Sequence, residues 1–123
     1  MPKRVLDVGQ CVPDHAAIRN LVEGNFDAVV VQTHSPEETL EQLRGGDFDL
    51  VLINRKLDRD YSDGLEILKA IKNDPALTDV PVMLITNFTE HQEMAVAAGG
   101  EYGFGKDALR AVETRTQLAA YLE

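Results

Sequence analysis

The sequence predicts an α/β domain: five parallel strands in one sheet, covered by helices on both sides. Three observations carry this expectation. Short β-branched, apolar runs alternate five times with segments of helical periodicity. The run "DLVLIN" (Asp49 to Asn54) is continuously apolar up to its last residue, as a strand buried on both faces must be. Helix entry and exit signals stand between the runs, and strand–helix–strand alternation demands right-handed crossovers.

The elements follow in order. "KRVLDV" (Lys3 to Val8) is the first strand, and "VPDHAAIRNLVEG" a helix entered through Pro13 and Asp14 and stopped at Gly24. "FDAVVVQ" is the second strand. "SPEETLEQLRGG" opens a helix with Ser35 as cap, Pro36 in the first turn and Glu38 closing a capping box, and Gly45-Gly46 end it. After "DLVLIN", "DGLEILKAIKND" carries Leu65, Leu68 and Ile71 at helical spacing. "VPVMLIT" is the fourth strand, and "TEHQEMAVAAGG" a helix with a Thr89–Gln92 capping pair. "EYGF" is a short fifth strand, and Asp107 to Leu122 the last helix, with Leu109, Val112, Leu118 and Leu122 toward the core.

The 123 residues fit a single domain, 1–123, large enough to bury a core without staples. One cysteine, Cys11, excludes an internal disulfide and fits a cytoplasmic chain. No apolar run approaches the roughly 18 residues that span a bilayer, so no membrane partner is expected. A net charge of −9 argues against nucleic acid and for solubility and basic protein surfaces.

Ligands of such sheets sit beyond the carboxyl ends of the strands. Those ends carry Gly9-Gln10, Asn54, Thr86-Asn87 and Lys106. At this point the chain resembles a response-regulator receiver domain of two-component signalling, over essentially its whole length. The matching segments are "DLVLIN", "DGLEILKAI", "VMLIT" with Thr86, "AVAAGG", and Lys106 closing the fifth strand. The resemblance implies a flavodoxin-like (βα)5 fold with strand order 2-1-3-4-5. It also implies a phosphorylation pocket, at which this sequence departs from the family. The acidic pair that holds Mg²⁺ is replaced by Gly9 and Gln10, and the phosphoacceptor aspartate by Asn54; Thr86 and Lys106 are kept. The position of the switch aromatic falls on Gly103, between Tyr102 and Phe104, and "RKLDRDYSDG" is about two residues longer than the family's loop.

Phosphoryl transfer to aspartate needs a carboxylate nucleophile and a cation on the phosphoryl oxygens. Mg²⁺ prefers carboxylate and water oxygens. Amides and a glycine supply neither. The expectation is a degenerate pseudo-receiver with no catalytic residue, no metal and no cofactor, working through a protein partner in a signalling pathway. By resemblance, that partner meets the fourth helix, fifth strand and fifth helix, roughly Met94 to Phe104 and Asp107 to Arg115. Tyr102 and Phe104 are its candidate aromatic anchors, and a homodimer through the same face is a further expectation. Lys106, deprived of its usual partners, is expected to find its counter-charge in Asp7, which shares a strand face with Gly9, or in Asp58. The alternative function is a small-molecule-binding protein or enzyme that uses the emptied strand-end pocket.

Other patterns are weaker. "GEYGFGK" (Gly100 to Lys106) imitates a phosphate-binding loop, but Asp107 replaces the required Ser or Thr. His15, His34 and His91 lack metal spacing and read as surface residues. Asp58, Asp60 and Asp63 read as a solvated acidic loop.

Overall fold

The structure, a computed structural model, describes residues 2–123. Its elements run β1 (Lys3–Val8), α1 (Val12–Asn25), β2 (Ala28–Thr33), α2 (Pro36–Gly45), β3 (Leu50–Asn54), α3 (Gly64–Asn73), β4 (Val82–Ile85), α4 (Thr89–Ala97) and α5 (Val112–Leu122). The strands form one parallel sheet in the order β2-β1-β3-β4. The register places Val8 beside Thr33 and Ile53, and Asn54 beside Ile85, so the strand tips form a common edge.

Alternate residues of each strand face opposite sides of the sheet. Leu6, Val8, Val51 and Ile53 pack with Leu43 of α2, Leu65, Leu68 and Ile71 of α3, and Ala95 of α4. Val5, Leu50, Leu52, Met83 and Ile85 pack with Ile18 and Val22 of α1 and with Leu118 and Leu122 of α5. β3 is buried through its first four residues, as its uninterrupted apolar run requires. The α2 capping box forms in a shifted version: Glu38 N–H donates to the cap Ser35 Oγ at 3.2 Å, but Glu38 Oε1 accepts from His34 N–H, one residue before the cap, at 2.6 Å.

The fifth strand departs from expectation. "EYGF" makes one isolated parallel bridge, Glu101 to Met83, and then leaves the ladder. A side chain from α4 takes the place of the backbone. Gln92 Nε2 donates to Leu84 O at 2.9 Å and Thr86 O at 3.2 Å, while its Oε1 accepts from Gly103 N–H at 2.8 Å. The ladder resumes where Thr86 N–H donates to Phe104 O at 3.1 Å. Gln92, only 3 % exposed, is therefore wedged between β4 and residues 101–105 and satisfies three buried backbone groups at once. The wedge requires Gly103, because a Cβ there would run into the Leu84 carbonyl. The anticipated Thr89–Gln92 capping pair is consequently absent; Phe88 is the N-cap of α4 and makes no side-chain cap bond.

The last helix is shorter than its periodicity suggested. A 3-10 turn, Lys106–Ala108, comes first, and Ala111, extended at φ −73° and ψ 143°, separates it from α5.

Replacing Gln92 by Leu keeps the volume and removes all three bonds. Urea denaturation should show a loss of about 2–4 kcal/mol, and the Gly103 amide should lose its protection from hydrogen exchange. Unchanged stability with a protected Gly103 amide would show that the wedge is not what joins this segment to β4.

Candidate functional site

The strand-end edge is built around the tip of β1. Gly9 has a left-handed backbone, φ 75°, which a residue with a side chain rarely adopts. A Cβ at Gly9 would also collide with Leu57, which is 1 % exposed and lies directly against it. The carbonyl of Gly9 accepts two hydrogen bonds, from Asn54 Nδ2 at 2.9 Å and from Asp58 N–H at 3.0 Å. The amide at the tip of β3 thus laces the β1 tip to the loop that follows β3. That loop closes on itself through Leu57 N–H to Ser62 O and Tyr61 N–H to Leu57 O, with Tyr61 in a left-handed conformation.

The charged groups are paired differently from the sequence expectation. Lys106 Nζ meets Asp14 Oδ2 at 2.8 Å, not Asp7 or Asp58. Asp14, in the first turn of α1, reaches across to the end of the 101–105 segment, and Lys106 holds its carboxyl below the usual range. The Cys11 thiol also donates to Asp14, at 3.1 Å. Asp7 has its own partner in His15, whose Nδ1 lies 2.7 Å from Asp7 Oδ2. Asp58 sits 3.7 Å from His34 Nδ1.

Asp7 is fully buried on the α1 side of the sheet. Burial pushes its carboxyl up to about 6, against the pull of His15, Gln10 and Lys106. Gln10 is also fully buried, and among the described residues neither of its amide atoms has a hydrogen-bond partner; nor has Asp7 Oδ1. Gln10 has turned inward beside Asp7, while its backbone carbonyl accepts from Gln32 Nε2 at 3.2 Å.

Thr86 is 8 % exposed. Its hydroxyl lies 3.1 Å from His91 Nδ1 and accepts from Phe88 N–H at 3.3 Å, so it serves the start of α4. None of the three histidines is a freely exposed surface residue. Each reaches back to the strand-end edge, meeting Asp7, Asp58 and Thr86 respectively. Of the two anchor candidates, Tyr102 is 51 % exposed, whereas Phe104, at 5 %, belongs to the core on the α1–α5 side. Phe104 therefore offers no surface to a partner; the sheet side that takes Met83 and Ile85 also takes its ring.

Sequence reasoning missed the Asp14–Lys106 pair, the Asp7–His15 pair and the Gln92 wedge. One signal was readable for the last: a glycine at 103, inside an otherwise strand-like run.

The sequence profile described as the response regulator receiver domain matches residues 11–112. Solved structures share the fold. The signal receiver domain of a DNA-binding response regulator from Colwellia psychrerythraea superposes with a TM-score of 0.80 at 22 % identity, covering 96 % of this chain and 98 % of its own. The Mn²⁺-bound response regulator Rcp1 gives 0.78 at 18 % identity, with 99 % and 96 % covered. The chemotaxis response regulator CheY4 of Vibrio cholerae gives 0.76 at 16 % identity, with 99 % and 100 % covered.

The buried Asp7 makes stability depend on pH with a definite sign. Its folded value, about 6, lies above the ordinary 3.8, so between these values the native state holds more protons than the unfolded state. Its contribution therefore falls as pH rises from about 4 to about 6, by on the order of 3 kcal/mol. Asp7→Asn removes this dependence. Urea denaturation of both proteins from pH 4 to 7 should give a stability difference that shifts in favour of the variant as pH rises. A constant difference would show that Asp7 does not titrate in this range.

Proposed function

Because the chain belongs to the response regulator receiver domain family, whose members are signalling modules, we propose that it signals without phosphorylation, through contact with a protein partner. The observation that carries this reading is the hydrogen bond from Asn54 Nδ2 to the Gly9 carbonyl. At the position where the family places its phosphoacceptor stands an amide used as a structural donor. It is not a free acceptor awaiting phosphate.

The surroundings support the same reading. A carboxylate at position 9 would need a left-handed backbone and the space that Leu57 fills. Gln10 is turned into the interior. Lys106 is engaged by Asp14, and Thr86 by His91 and Phe88. Mg²⁺ requires several oxygen ligands around one point. Among the described residues no group of three or more His, Cys, Asp or Glu converges in that way. The residues at this edge do not fit the family's metal.

The position that the resemblance assigns to a switch aromatic is also changed. Gly103 has no side chain to swing, and Gln92 fastens the segment around it to β4. The output face is then set by partner binding. Its exposed apolar groups include Met94 and Val96 on α4, Val112 at the start of α5, which points outward and not toward the core, and Tyr102, whose backbone carbonyl accepts from Gln117 of α5 at 3.1 Å. Phe104 belongs to the support of that face, not to its contact surface.

The test is an intact-mass measurement after incubation with acetyl phosphate and Mg²⁺. No phosphoryl mass should appear on the native chain or on Asn54→Asp. The substitution removes the donor to Gly9 and sets a carboxylate against a carbonyl, so a loss of about 1–3 kcal/mol in urea is also expected. Mg²⁺-dependent phosphorylation of either protein would overturn the proposal. For the interaction face, Tyr102→Ala should leave stability within about 0.5 kcal/mol and weaken any self-association measured by sedimentation. Unaltered self-association would remove Tyr102 from that contact.

A further inference from the structure

A large cavity borders the strand-end edge at Lys106, on the side of the sheet that α1 and α5 cover. It is an open groove of about 670 Å³ between α1 and residues 106–115, a size within the range of small-molecule sites. One wall is Ala17, Asn20, Leu21 and Asn25 of α1; the other is Lys106, Asp107, Leu109, Arg110 and Arg115. The charge of this lining is the reverse of the chain's. The whole sequence has 12 Lys and Arg against 21 Asp and Glu, but the groove has three cations and one carboxylate. Lys106 is committed to Asp14, whereas neither Arg110 nor Arg115 makes an ion pair or side-chain hydrogen bond among the described residues.

We propose that this groove binds a small organic phosphomonoester, with Arg110 and Arg115 taking the phosphate and the α1 wall taking the body of the ligand. Arginine presents a planar fork of donors that matches phosphate oxygens two at a time. Leu21 and Leu109 offer apolar contact to the body, and the Asn20 amide on the same wall offers hydrogen bonds. The ligand carries the anion because two arginines stand here without partners in a chain that is otherwise strongly acidic. Asp107 on the rim and Glu113 in the first turn of α5 oppose it, which limits the affinity and makes it sensitive to salt. Lys106 lines the groove while holding Asp14, so a bound phosphate competes with Asp14 and reaches the strand-end edge through one side chain. The groove shares only Lys106 with the strand-end edge, and its two phosphate-binding arginines do not depend on how that edge is read.

The test uses the full chain, ¹⁵N-labelled, at low salt, titrated with AMP, with adenosine as its phosphate-free counterpart, and with inorganic phosphate. AMP should move the amides of Leu21, Leu109 and Arg110 saturably. Adenosine and inorganic phosphate should each bind at least tenfold more weakly, since each lacks half of the recognition. The double variant Arg110→Gln/Arg115→Gln should weaken AMP at least tenfold, its own spectrum reporting that it remains folded. Arg44→Gln, which removes an exposed arginine paired with Asp74, should leave binding unchanged. Absence of saturable shifts with AMP, shifts centred elsewhere, equal binding of adenosine, or equal weakening by Arg44→Gln would each overturn the proposal.

Discussion

The carbonyl of Gly9 accepts from the Asn54 side chain and from the Asp58 backbone, and the geometry of the strand-end edge follows from those two bonds. They bring the loop after β3 down over the tip of β1 and place Leu57 against a residue that has no side chain. A β1 tip in the left-handed region, with Leu57 packed on it, has no room for an acidic residue. The glycine at 9 and the amide at 54 thus fit one another. Asn54 needs the Gly9 carbonyl as acceptor, and Gly9 needs a neighbour that donates rather than repels.

With the edge closed in this way, its charged groups look outward or sideways for partners. Lys106 finds Asp14, which enters from the first turn of α1. Asp7, buried in mid-sheet, finds His15, the next residue of α1. α1 therefore supplies both partners, and the α1 side of the sheet becomes the polar side of the edge. The opposite side stays apolar, with Leu57, Ile53 and Leu65 in one continuous cluster. This asymmetry explains how an aspartate is tolerated inside a parallel strand. Its hydrogen-bond partner, His15, is carried by the helix packed directly over it.

The second joint is at β4. Gln92 replaces the backbone ladder that a fifth strand would have made, and Gly103 gives it room. The segment 101–105 stays docked on the sheet while its backbone is freed from strand geometry. Phe104 can then bury its ring beneath α5, and Tyr102 is left outside. The aromatic pair that looks symmetrical in the sequence is divided into support and surface.

Much of this was legible in the amino-acid order. Four strands, five helices, the α2 capping box and the identity of the strand-end residues follow from local propensity, hydrophobic period and turn chemistry, which act over a few residues. That the strand ends carry a glycine and amides at Gly9, Gln10 and Asn54 is likewise a statement about residue type, readable once their places are known. What only the tertiary structure decided are the pairings between residues distant in sequence: Lys106 with Asp14 instead of Asp7 or Asp58, and Phe104 buried beside an exposed Tyr102. The Gln92 wedge belongs with them, although 92 and 103 are close in the chain. A side chain that bonds backbone it is not adjacent to leaves no periodic trace. The partner of a long, flexible charged side chain is set by which helix comes to lie above it.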